Sequence, residues 1–266
     1  MTHDKLSVLG TLITPTTYKE VVAVVINAAK TERPLSVAAL AVHGVMEAVR
    51  DRQLRYRLNH IDIVTPDGQP VRWALHLLYG MALPDRVYGP SLMLAVCQAA
   101  EEQSLCIYLY GSTESVIKRL QQNLNLRFPN LQIVGVEPSK FRRLTEAEQQ
   151  QTADRIKASG AQMLFVGLGC PRQEIWAYEF QDLLSVPILA VGAAFDFLSG
   201  NKAQASPRLQ KYGLEWGFRL LHEPRRLWRR YLLLNPYFVL LLTLQILKVK
   251  HFDVQGEPVA EACRYG

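Results

Sequence analysis

The fold is decided where "LCIYLYG" (residues 105–111) is followed by "STESVIKRLQQNLNLRFP" (112–129) and then by "LQIVGVE" (131–137). The first stretch is short and apolar, as a buried strand is, the middle stretch carries apolar residues at helical spacing, and the third is a second strand. Gly111 suits a tight turn after the first strand, and the "ST" that follows it suits the cap of a helix. A strand, a helix and a second strand in succession predict a parallel sheet covered by helices.

The same succession recurs once in full and once in part. The stretches are "QMLFVGLG" (162–169), "CPRQEIWAYEFQDLL" (170–184) and "VPILAVGAAFDF" (186–197) in one unit, and "IDIVTPDG" (61–68) with the helix "VRWALHLL" (71–78) in the other. Each unit predicts a strand that runs into a helix, and the first unit ends in a further strand. We therefore predict an α/β fold, with a Rossmann-like parallel sheet and helices on both faces.

Positive charge is concentrated near the C-terminus, where "HEPRRLWRRYLLL" (222–234) places four arginines within six positions. Between Lys202 and Arg230 there are eight Lys or Arg residues against two Glu, whereas the rest of the chain is balanced at twenty-two of each sign. At about 100° per residue, a helix that begins near Pro224 would group the four arginines within an arc of about 140°, opposite an aromatic and aliphatic face. Such a helix is typical of a membrane interface, where guanidinium groups meet phosphate.

The length of 266 residues allows one domain with an appendage. The apolar stretch "YLLLNPYFVLLLTLQIL" (231–247) is short for a spanning helix and is interrupted by Asn235 and Pro236, so we expect it to lie on a surface. We predict a Rossmann-like body over residues 1–200, a basic and amphipathic helical appendage that associates with membranes over 201–248, and a flexible tail over 249–266.

Several kinds of site and destination are not indicated by the sequence. The four cysteines have neither CxxC spacing nor a paired histidine pattern, so neither a zinc site nor a disulfide framework is predicted. No DxD motif is present, so we expect neither a divalent-metal diphosphate site nor any other cofactor. The N-terminal residues lack the charged region, the apolar run and the cleavage site of a signal peptide, so we expect the protein in the cytoplasm.

Glycines and polar residues follow one of the predicted strands in "FVGLGCPRQE" (165–174). Gly167 and Gly169 precede a helix, where free backbone N–H groups and the helix dipole favour phosphate. Gln173 and Glu174 could hydrogen-bond a base or a ribose. A glycine-bearing turn without a ligand stays open as an alternative, since Glu in a first helical turn also offsets the helix dipole.

Two aspartates follow other predicted strands. In "TPDG", Asp67 comes just beyond a strand, at the sheet edge where ligands of such folds bind. Its carboxylate could act as a general base on a hydroxyl nucleophile, although Asp-Gly is also a common turn dipeptide. Asp196 in "FDF" resembles only half of a metal motif.

The basic C-terminal segment admits three interpretations. Trp228 and Tyr231 could stack on the bases of a nucleic acid, but nucleic-acid arms seldom continue into an apolar run such as "YFVLLLTLQIL". The segment could also be a solvated basic face on a helix that packs on its own domain. We favour a membrane surface, because it accounts for the basic and the apolar residues together.

Long motifs carry a resemblance to a known family. They are "VGLGCPRQEIW" (166–176), "VGAAFDFLSGNKAQASPRLQKYGLEWGFRLLHEPRRLWRRY" (191–231), "PDG" (66–68) and "DRVYG" (85–89). From about residue 8 to residue 232 the chain resembles the WecG/TagA/CpsF family of bacterial glycosyltransferases. The resemblance implies transfer of a sugar from a UDP-sugar, often UDP-N-acetylmannosamine, to a polyprenyl-diphosphate-linked saccharide in the synthesis of teichoic acid, common antigen or exopolysaccharide.

The resemblance also implies roles for individual residues. Asp67 matches the proposed general base, and Arg86 matches a second catalytic position. The residues expected to bind the donor are Gly111, Gly167, Gly169, Gln173, Glu174 and Asp196. The residues expected at the acceptor diphosphate are Arg219, Arg226, Arg229 and His43. The family's independence of metal agrees with the missing DxD.

This chain departs from the family pattern at several positions. Ala39 and Ala41 stand where many members have a Thr-x-Asn, so the contacts of those two polar side chains to a sugar are absent. His43 could supply a polar group there, or it could be an ordinary core or surface histidine. Pro70 replaces the last glycine of a DGxG motif. The identity of the donor and acceptor sugars is therefore open.

We expect a glycosyltransferase peripherally associated with the inner face of the plasma membrane, with UDP-sugar, polyprenyl-diphosphate-linked saccharide and an anionic membrane surface as its partners. The expected reaction is an inverting displacement in which Asp67 takes the proton of the acceptor hydroxyl. Arg86 and backbone N–H groups stabilise the departing UDP in place of a metal. No nucleic acid is expected, and the sequence allows a homo-oligomer. A nucleic-acid-binding protein and a non-catalytic membrane-surface scaffold are the alternatives from other classes.

Overall fold

The computed structural model describes residues 4–206, 208–209 and 213–266. Its strands are β1 (Leu6–Val8), β2 (Thr11–Ile13), β3 (Leu35–Leu40), β4 (Ile63–Pro66), β5 (Cys106–Gly111), β6 (Gln132–Glu137), β7 (Met163–Gly167) and β8 (Pro187–Ala190). The first two form an antiparallel hairpin, and the other six form one sheet in the order β4-β3-β8-β7-β5-β6. All neighbouring strands of the six-stranded sheet are parallel, so their carboxyl ends meet at one edge.

The described helices surround this sheet. They are α1 (Tyr18–Lys30), α2 (Val42–Arg50), α3 (Arg52–His60), α4 (Gln69–Tyr79), α5 (Gly89–Glu102), α6 (Glu114–Arg127), α7 (Glu146–Ala158), α8 (Arg172–Phe180), α9 (Ala194–Leu198), α10 (Glu215–His222), α11 (Pro224–Trp228), a π-helical segment (Arg229–Leu234) and α12 (Asn235–Ile246). Along β7, Leu164 and Val166 belong to one apolar cluster and Met163 and Phe165 to the other, because successive side chains of a strand point to opposite faces. The predicted fold class, with helices on both faces, is confirmed.

The stretch from residue 105 to residue 137 folds as its pattern predicts, into β5, α6 and β6. Thr113 caps α6, since its hydroxyl accepts a hydrogen bond from the N–H of Val116 at 3.4 Å. The strand predicted over 186–197 is wrong in its second half. There β8 ends at Ala190, and Gly192 takes a φ of +64°, which an L side chain adopts only with strain. The "FDF" sequence consequently lies in the short helix α9.

The C-terminal helices differ from the single uniform helix that the wheel assumed. The π-helical segment at Arg229–Leu234 has i→i+5 hydrogen bonding, which changes the direction of the side chains relative to an α-helix. Asn235 and Pro236 do not interrupt the apolar stretch, because they occupy the first turn of α12, where a proline is tolerated. Among the described residues, no helix is long and apolar enough to cross a membrane.

The C-terminal segments contact the rest of the molecule. On α12, Phe238 and Leu241 are buried in the core, and the helix packs against α2 and α4. Farther on, the N–H groups of Cys263 and Arg264 each donate to the carboxylate of Glu179 at 2.7 Å. The division into body, appendage and flexible tail stays a prediction.

Candidate active site

A cavity of about 1510 Å³ opens at the carboxyl ends of the parallel strands. Its volume exceeds the roughly 300–1,000 Å³ of ordinary small-molecule pockets, so it has room for more than one small ligand. Every site residue expected from the sequence except Gly111 lines it. These residues are His43, Asp67, Arg86, Gly167, Gly169, Gln173, Glu174, Asp196, Arg219, Arg226 and Arg229.

Asp67 follows directly on β4 and is held there by its backbone, since its N–H donates to the carbonyl of Leu40 at 3.2 Å. Its side chain lines the cavity. Burial raises the pKa of Asp67 to about 6, an effect that the positive charge of Arg86 opposes and the negative charge of Glu215 reinforces. A carboxylate with a pKa near neutrality can take up a proton and release it again, as a general base must.

Arg86 is positioned beside the same strand end by its neighbours in the chain. The carboxylate of Asp85 accepts the N–H of Arg86 at 2.7 Å. Val87 is bonded to β4 in both directions, since its N–H donates to the carbonyl of Pro66 at 3.0 Å and its carbonyl accepts the hydroxyl of Thr65 at 3.2 Å. Because this segment is fixed to the end of β4, Arg86 reaches the cavity next to Asp67.

A buried ion pair joins Arg86 to the C-terminal helices. Its Nη2 lies 2.5 Å from Oε2 of Glu215 on α10, and both residues are less than 10% exposed. Burial alone would lower the pKa of Arg86, but the charges of Glu215 and Asp67 outweigh it and the pKa is raised. The guanidinium carbon also lies 4.3 Å from the ring centroid of Tyr88, whose buried hydroxyl has no hydrogen-bond partner in the described part of the chain.

The start of α8 presents a chain of polar groups to the cavity. The N–H of Gly169 donates to Oε1 of Gln173 at 3.1 Å, and Nε2 of Gln173 donates to Oε1 of Glu174 at 2.9 Å. The second carboxyl oxygen of Glu174 is buried and has no partner among the described residues. Burial raises the pKa of Glu174 to about 7, so it can be protonated and donate a hydrogen bond near neutral pH.

Gly111 lies outside the cavity and has a steric role. A Cβ atom at this position would come within 2.8 Å of the backbone of Gly167, so a side chain here would force β5 and β7 apart at their ends. The residues that follow it, Ser112 and Thr113, line the cavity instead. Donor binding by Gly111 therefore stays a prediction. The neighbouring residues Ser112 and Thr113 are the ones that could contact a ligand in the cavity.

Asp196 belongs to a network of charges that ties α9 to α11. Its carboxylate oxygens accept bonds from Nδ2 of Asn201 and from Nζ of Lys202, both at 2.9 Å. Lys202 also lies 3.5 Å from a carboxylate oxygen of Glu223, which in turn lies 2.6 Å from Nε of Arg226. Since both oxygens of Asp196 are already bonded, a donor would have to compete for them.

The four arginines of the basic segment differ in exposure. Arg225, Arg226 and Arg229 are exposed, whereas Arg230 is more buried and lines the cavity. The arc stays a prediction, although its assumption of about 100° per residue does not hold from Arg229 onward, where the segment is π-helical. Arg226 and Arg229 lie at the cavity wall, and Arg225 does not.

The residues at which the chain departs from the Thr-x-Asn pattern of the family, Ala39 and Ala41, lie at the end of β3 and at the start of α2. Ala41 is the N-cap of this helix and offers no side-chain hydrogen bond, and Ala39 lines the cavity nearby. His43 has its Nδ1 3.6 Å from Oε1 of Glu47, without a hydrogen bond. Burial, together with the charge of Arg230, lowers the pKa of His43 to about 4. The imidazole is therefore neutral at physiological pH.

Four further residues of the cavity were not assigned a role from the sequence: Tyr88, Phe141, Glu215 and Arg230. Tyr88 belongs to the motif "DRVYG", and Glu215 and Arg230 belong to the long motif over 191–231. Their contacts with distant residues cannot be read from a sequence. Phe141 is 55% exposed at the cavity wall, and its only signal is that of an aromatic residue within a polar stretch.

Comparisons with known proteins identify the family of the chain. The model of the "Glycosyl transferase WecG/TagA/CpsF family" matches residues 6–251. A protein of Bacillus spizizenii is 30% identical over 197 residues, which are 74% of this chain and 74% of the relative. A protein of Bacillus subtilis is 28% identical over 196 residues, 73% of this chain and 74% of the relative. Both relatives are named N-acetylglucosaminyldiphosphoundecaprenol N-acetyl-beta-D-mannosaminyltransferase. The chain belongs to the WecG/TagA/CpsF family of glycosyl transferases.

Proposed function

We propose that this enzyme transfers N-acetylmannosamine or a related hexose from a UDP-sugar to a polyprenyl-diphosphate-linked saccharide in cell-surface polysaccharide synthesis. The names of the two Bacillus relatives support the kind of sugar and the kind of acceptor. The observation that carries the proposal is the position of Asp67. Its carboxylate lines a cavity large enough for two substrates, and arginines from the body and from the C-terminal helices surround it.

In the proposed mechanism the acceptor hydroxyl displaces UDP directly from the anomeric carbon. Asp67 takes the hydroxyl proton while the acceptor oxygen forms its bond to the anomeric carbon. The bond from that carbon to the UDP oxygen breaks, and the diphosphate keeps the electron pair. Attack from the side opposite UDP inverts the anomeric centre. Arg86 and Arg219, which both line the cavity, offset the charge that develops on the diphosphate.

The donor fits best between the ends of β5 and β7. Ser112 and Thr113 offer hydroxyl groups, and Glu174 offers an unpartnered carboxyl oxygen. Phe141 offers an exposed aromatic face on which a base could stack, and such stacking contributes about 1–3 kcal/mol per base. These groups support a nucleotide sugar as the donor.

A screen of UDP-sugars with a short-chain polyprenyl-diphosphate saccharide tests the proposal. Release of UDP that depends on both substrates is the expected result. A non-catalytic membrane-surface scaffold or a nucleic-acid-binding protein would release no UDP with any sugar, and binding of an RNA or DNA oligonucleotide would favour the second of these. The basic helices adjoin an apolar surface, which supports a membrane rather than a nucleic acid.

The pH dependence of turnover should report the ionisation of Asp67. Since the base acts in its ionised form, kcat/KM should rise with pH through about 6 and fall about tenfold per unit below that value. The measurement is a pH profile of kcat/KM under buffers of constant ionic strength. A profile that stays flat from pH 4.5 to pH 7.5 would contradict this assignment.

Activity should survive an excess of EDTA. No three His, Cys, Asp or Glu side chains within the described ranges are grouped as a metal site would require, and arginines line the cavity in which the diphosphate would lie. The measurement is the rate of UDP release after dialysis against chelator, with and without added Mg²⁺ or Mn²⁺. Loss of activity that either cation restores would show that the diphosphate needs a metal.

We also propose that the C-terminal helices bring the cavity to the inner face of the plasma membrane. Several apolar side chains of these helices are exposed: Leu232, Leu233, Tyr237, Val239 and Leu240, of which Leu233 and Tyr237 also line the cavity. The exposed guanidinium groups of Arg225 and Arg229 flank this stripe. A surface that combines apolar side chains with arginines suits a bilayer with anionic headgroups.

The double variant Leu232→Gln and Leu240→Gln should bind anionic vesicles about 10²- to 10⁴-fold more weakly, because burial of each leucine contributes about 1.5–3 kcal/mol. Sedimentation with vesicles of phosphatidylglycerol and phosphatidylethanolamine measures the effect. Leu126→Gln on α6 is the matched control, since this leucine is also exposed but is distant in the chain. Equal vesicle binding by the double variant and the wild type would exclude this surface.

A further inference from the structure

Arg230 reaches the cavity from the π-helical segment. Its charge lowers the pKa of His43 at the start of α2 and opposes the rise in the pKa of Asp67 after β4. It also opposes the rise in the pKa of Cys170, which follows β7. Arg230 lines the same cavity as His43, Asp67 and Cys170, which follow three different strands at the edge of the sheet where ligands of such folds bind. Local π-helical geometry of this kind is frequent at functional sites.

No ion pair or hydrogen bond of the Arg230 side chain is found within residues 4–206, 208–209 and 213–266. Its sole ring contact there is a distant one, with the guanidinium carbon 6.0 Å from the ring centroid of Tyr231. Burial lowers the pKa of Arg230, which indicates that its charged form is poorly solvated. A cation in such a place costs stability unless an anion accompanies it.

A second guanidinium adjoins it. The charge of Arg219 lowers the pKa of Arg230, and both residues line the cavity. The carboxylate nearest to Arg219 is that of Glu215, at 3.8 Å, and this carboxylate is already engaged with Arg86. The buried Nε of Arg219 has no hydrogen-bond partner in the described structure. Of the carboxylates in the described residues, only that of Glu215 lies within 4 Å of either guanidinium group, and Arg86 shares it.

We propose that Arg230, together with Arg219, binds a phosphate group of a diphosphate substrate beside Asp67. The inference rests on the proposed function and names a binding residue that the family resemblance did not supply. A phosphate oxygen can accept hydrogen bonds from both guanidinium groups, and its charge removes their mutual repulsion. The same chemistry is offered by the diphosphate of UDP and by that of the lipid-linked acceptor.

Arg226 and Arg229 are less suited to this task in the present arrangement. Arg226 is paired with Glu223 at 2.6 Å, and its side chain is about half exposed. Arg229 is exposed and contacts the ring of Trp228, with its guanidinium carbon 5.3 Å from the ring centroid. Charges that water solvates contribute less to binding than a cation held in a cavity. A role for both in the acceptor site stays a prediction.

The test uses the full chain with Arg230→Gln, which removes the charge, and Arg230→Lys, which keeps the charge and removes the planar fork. Arg127→Gln is the matched control, because Arg127 lies exposed on α6 and does not line the cavity. Titration calorimetry with UDP and, separately, with farnesyl diphosphate gives the two affinities. Thermal unfolding without ligand shows whether the side chain supports the fold.

We expect Arg230→Gln to weaken the binding of at least one of the two diphosphates by about 10- to 100-fold, and Arg230→Lys to weaken it less. Tm should be equal to or higher than that of the wild type, since an unpaired buried cation is removed. Loss for UDP alone assigns the residue to the donor, and loss for farnesyl diphosphate alone assigns it to the acceptor.

Affinities for both diphosphates within threefold of the wild type in Arg230→Lys and Arg230→Gln would overturn the inference. If Arg230→Gln does not fold, the Arg230→Lys titrations decide, because this variant keeps the charge and most of the side-chain volume. A wild-type protein that binds neither diphosphate and releases no UDP would instead reject the proposed function itself, so the two failures are distinguishable.

Discussion

Asp67→Asn should lower kcat by roughly 10²- to 10⁴-fold while the affinity for the UDP-sugar stays nearly unchanged. The amide has the size of the carboxylate and can still hydrogen-bond the acceptor hydroxyl, but it cannot take the proton. Because Asp67 follows β4 at the floor of the cavity and its backbone is bonded to Leu40, the substitution should not disturb the strand end. Steady-state kinetics and calorimetric titration with the UDP-sugar measure the two quantities.

Asp182→Asn is the matched control, because Asp182 is exposed beyond the end of α8. The kcat of this variant should equal that of the wild type. The acid limb of the pH profile should also disappear in Asp67→Asn, because its titrating group has been removed. Turnover of Asp67→Asn within a few-fold of the wild type would exclude Asp67 as the base.

The sheet could be predicted from the sequence because its strands and helices have patterns of different period. Residues 105–137 show this best, with the buried strand β5, a helix that has its own cap and the less buried edge strand β6. The predicted end of a strand was wrong where the local backbone conformation, and not the apolar pattern, determined it. Strand β8 ends at Ala190, two residues before Gly192 with its positive φ, although the apolar character of the sequence continues to Phe197.

The candidate site was predictable where residues follow strands, because parallel strands bring their carboxyl ends together. Asp67 and Gly169 could be placed at one edge of the sheet on this ground alone. Contacts between distant parts of the chain could not be placed. Glu215 lies 129 positions from its partner Arg86, and neither residue's spacing indicates the other. The orientation of the Arg230 side chain toward the cavity could not be predicted either, because a helical wheel assumes α-helical geometry and Arg230 lies in a π-helical segment.

Glu215→Gln and Arg86→Met should each lower Tm on the order of 10 °C, because each removes one member of a buried ion pair. Removal of one partner from such a pair costs about 3–5 kcal/mol, and about 1 kcal/mol corresponds to 2–4 °C in a chain of this size. The pair joins the sheet to α10, so its loss should also loosen the C-terminal helices over the cavity. Differential scanning calorimetry measures the effect. The exposed pair between Lys118 and Glu114 is the control, and Glu114→Gln should leave Tm unchanged.

The same two variants should shift the acid limb of kcat/KM in opposite directions. The charge of Glu215 raises the pKa of Asp67, so Glu215→Gln should move the limb below about 6. The charge of Arg86 lowers the pKa of Asp67, so Arg86→Met should move the limb above that value. A general loss of stability would move neither limb, or would move both the same way. Opposite shifts from the two ends of one ion pair would therefore mean that the contact between the C-terminal helices and the sheet sets the proton affinity of the base.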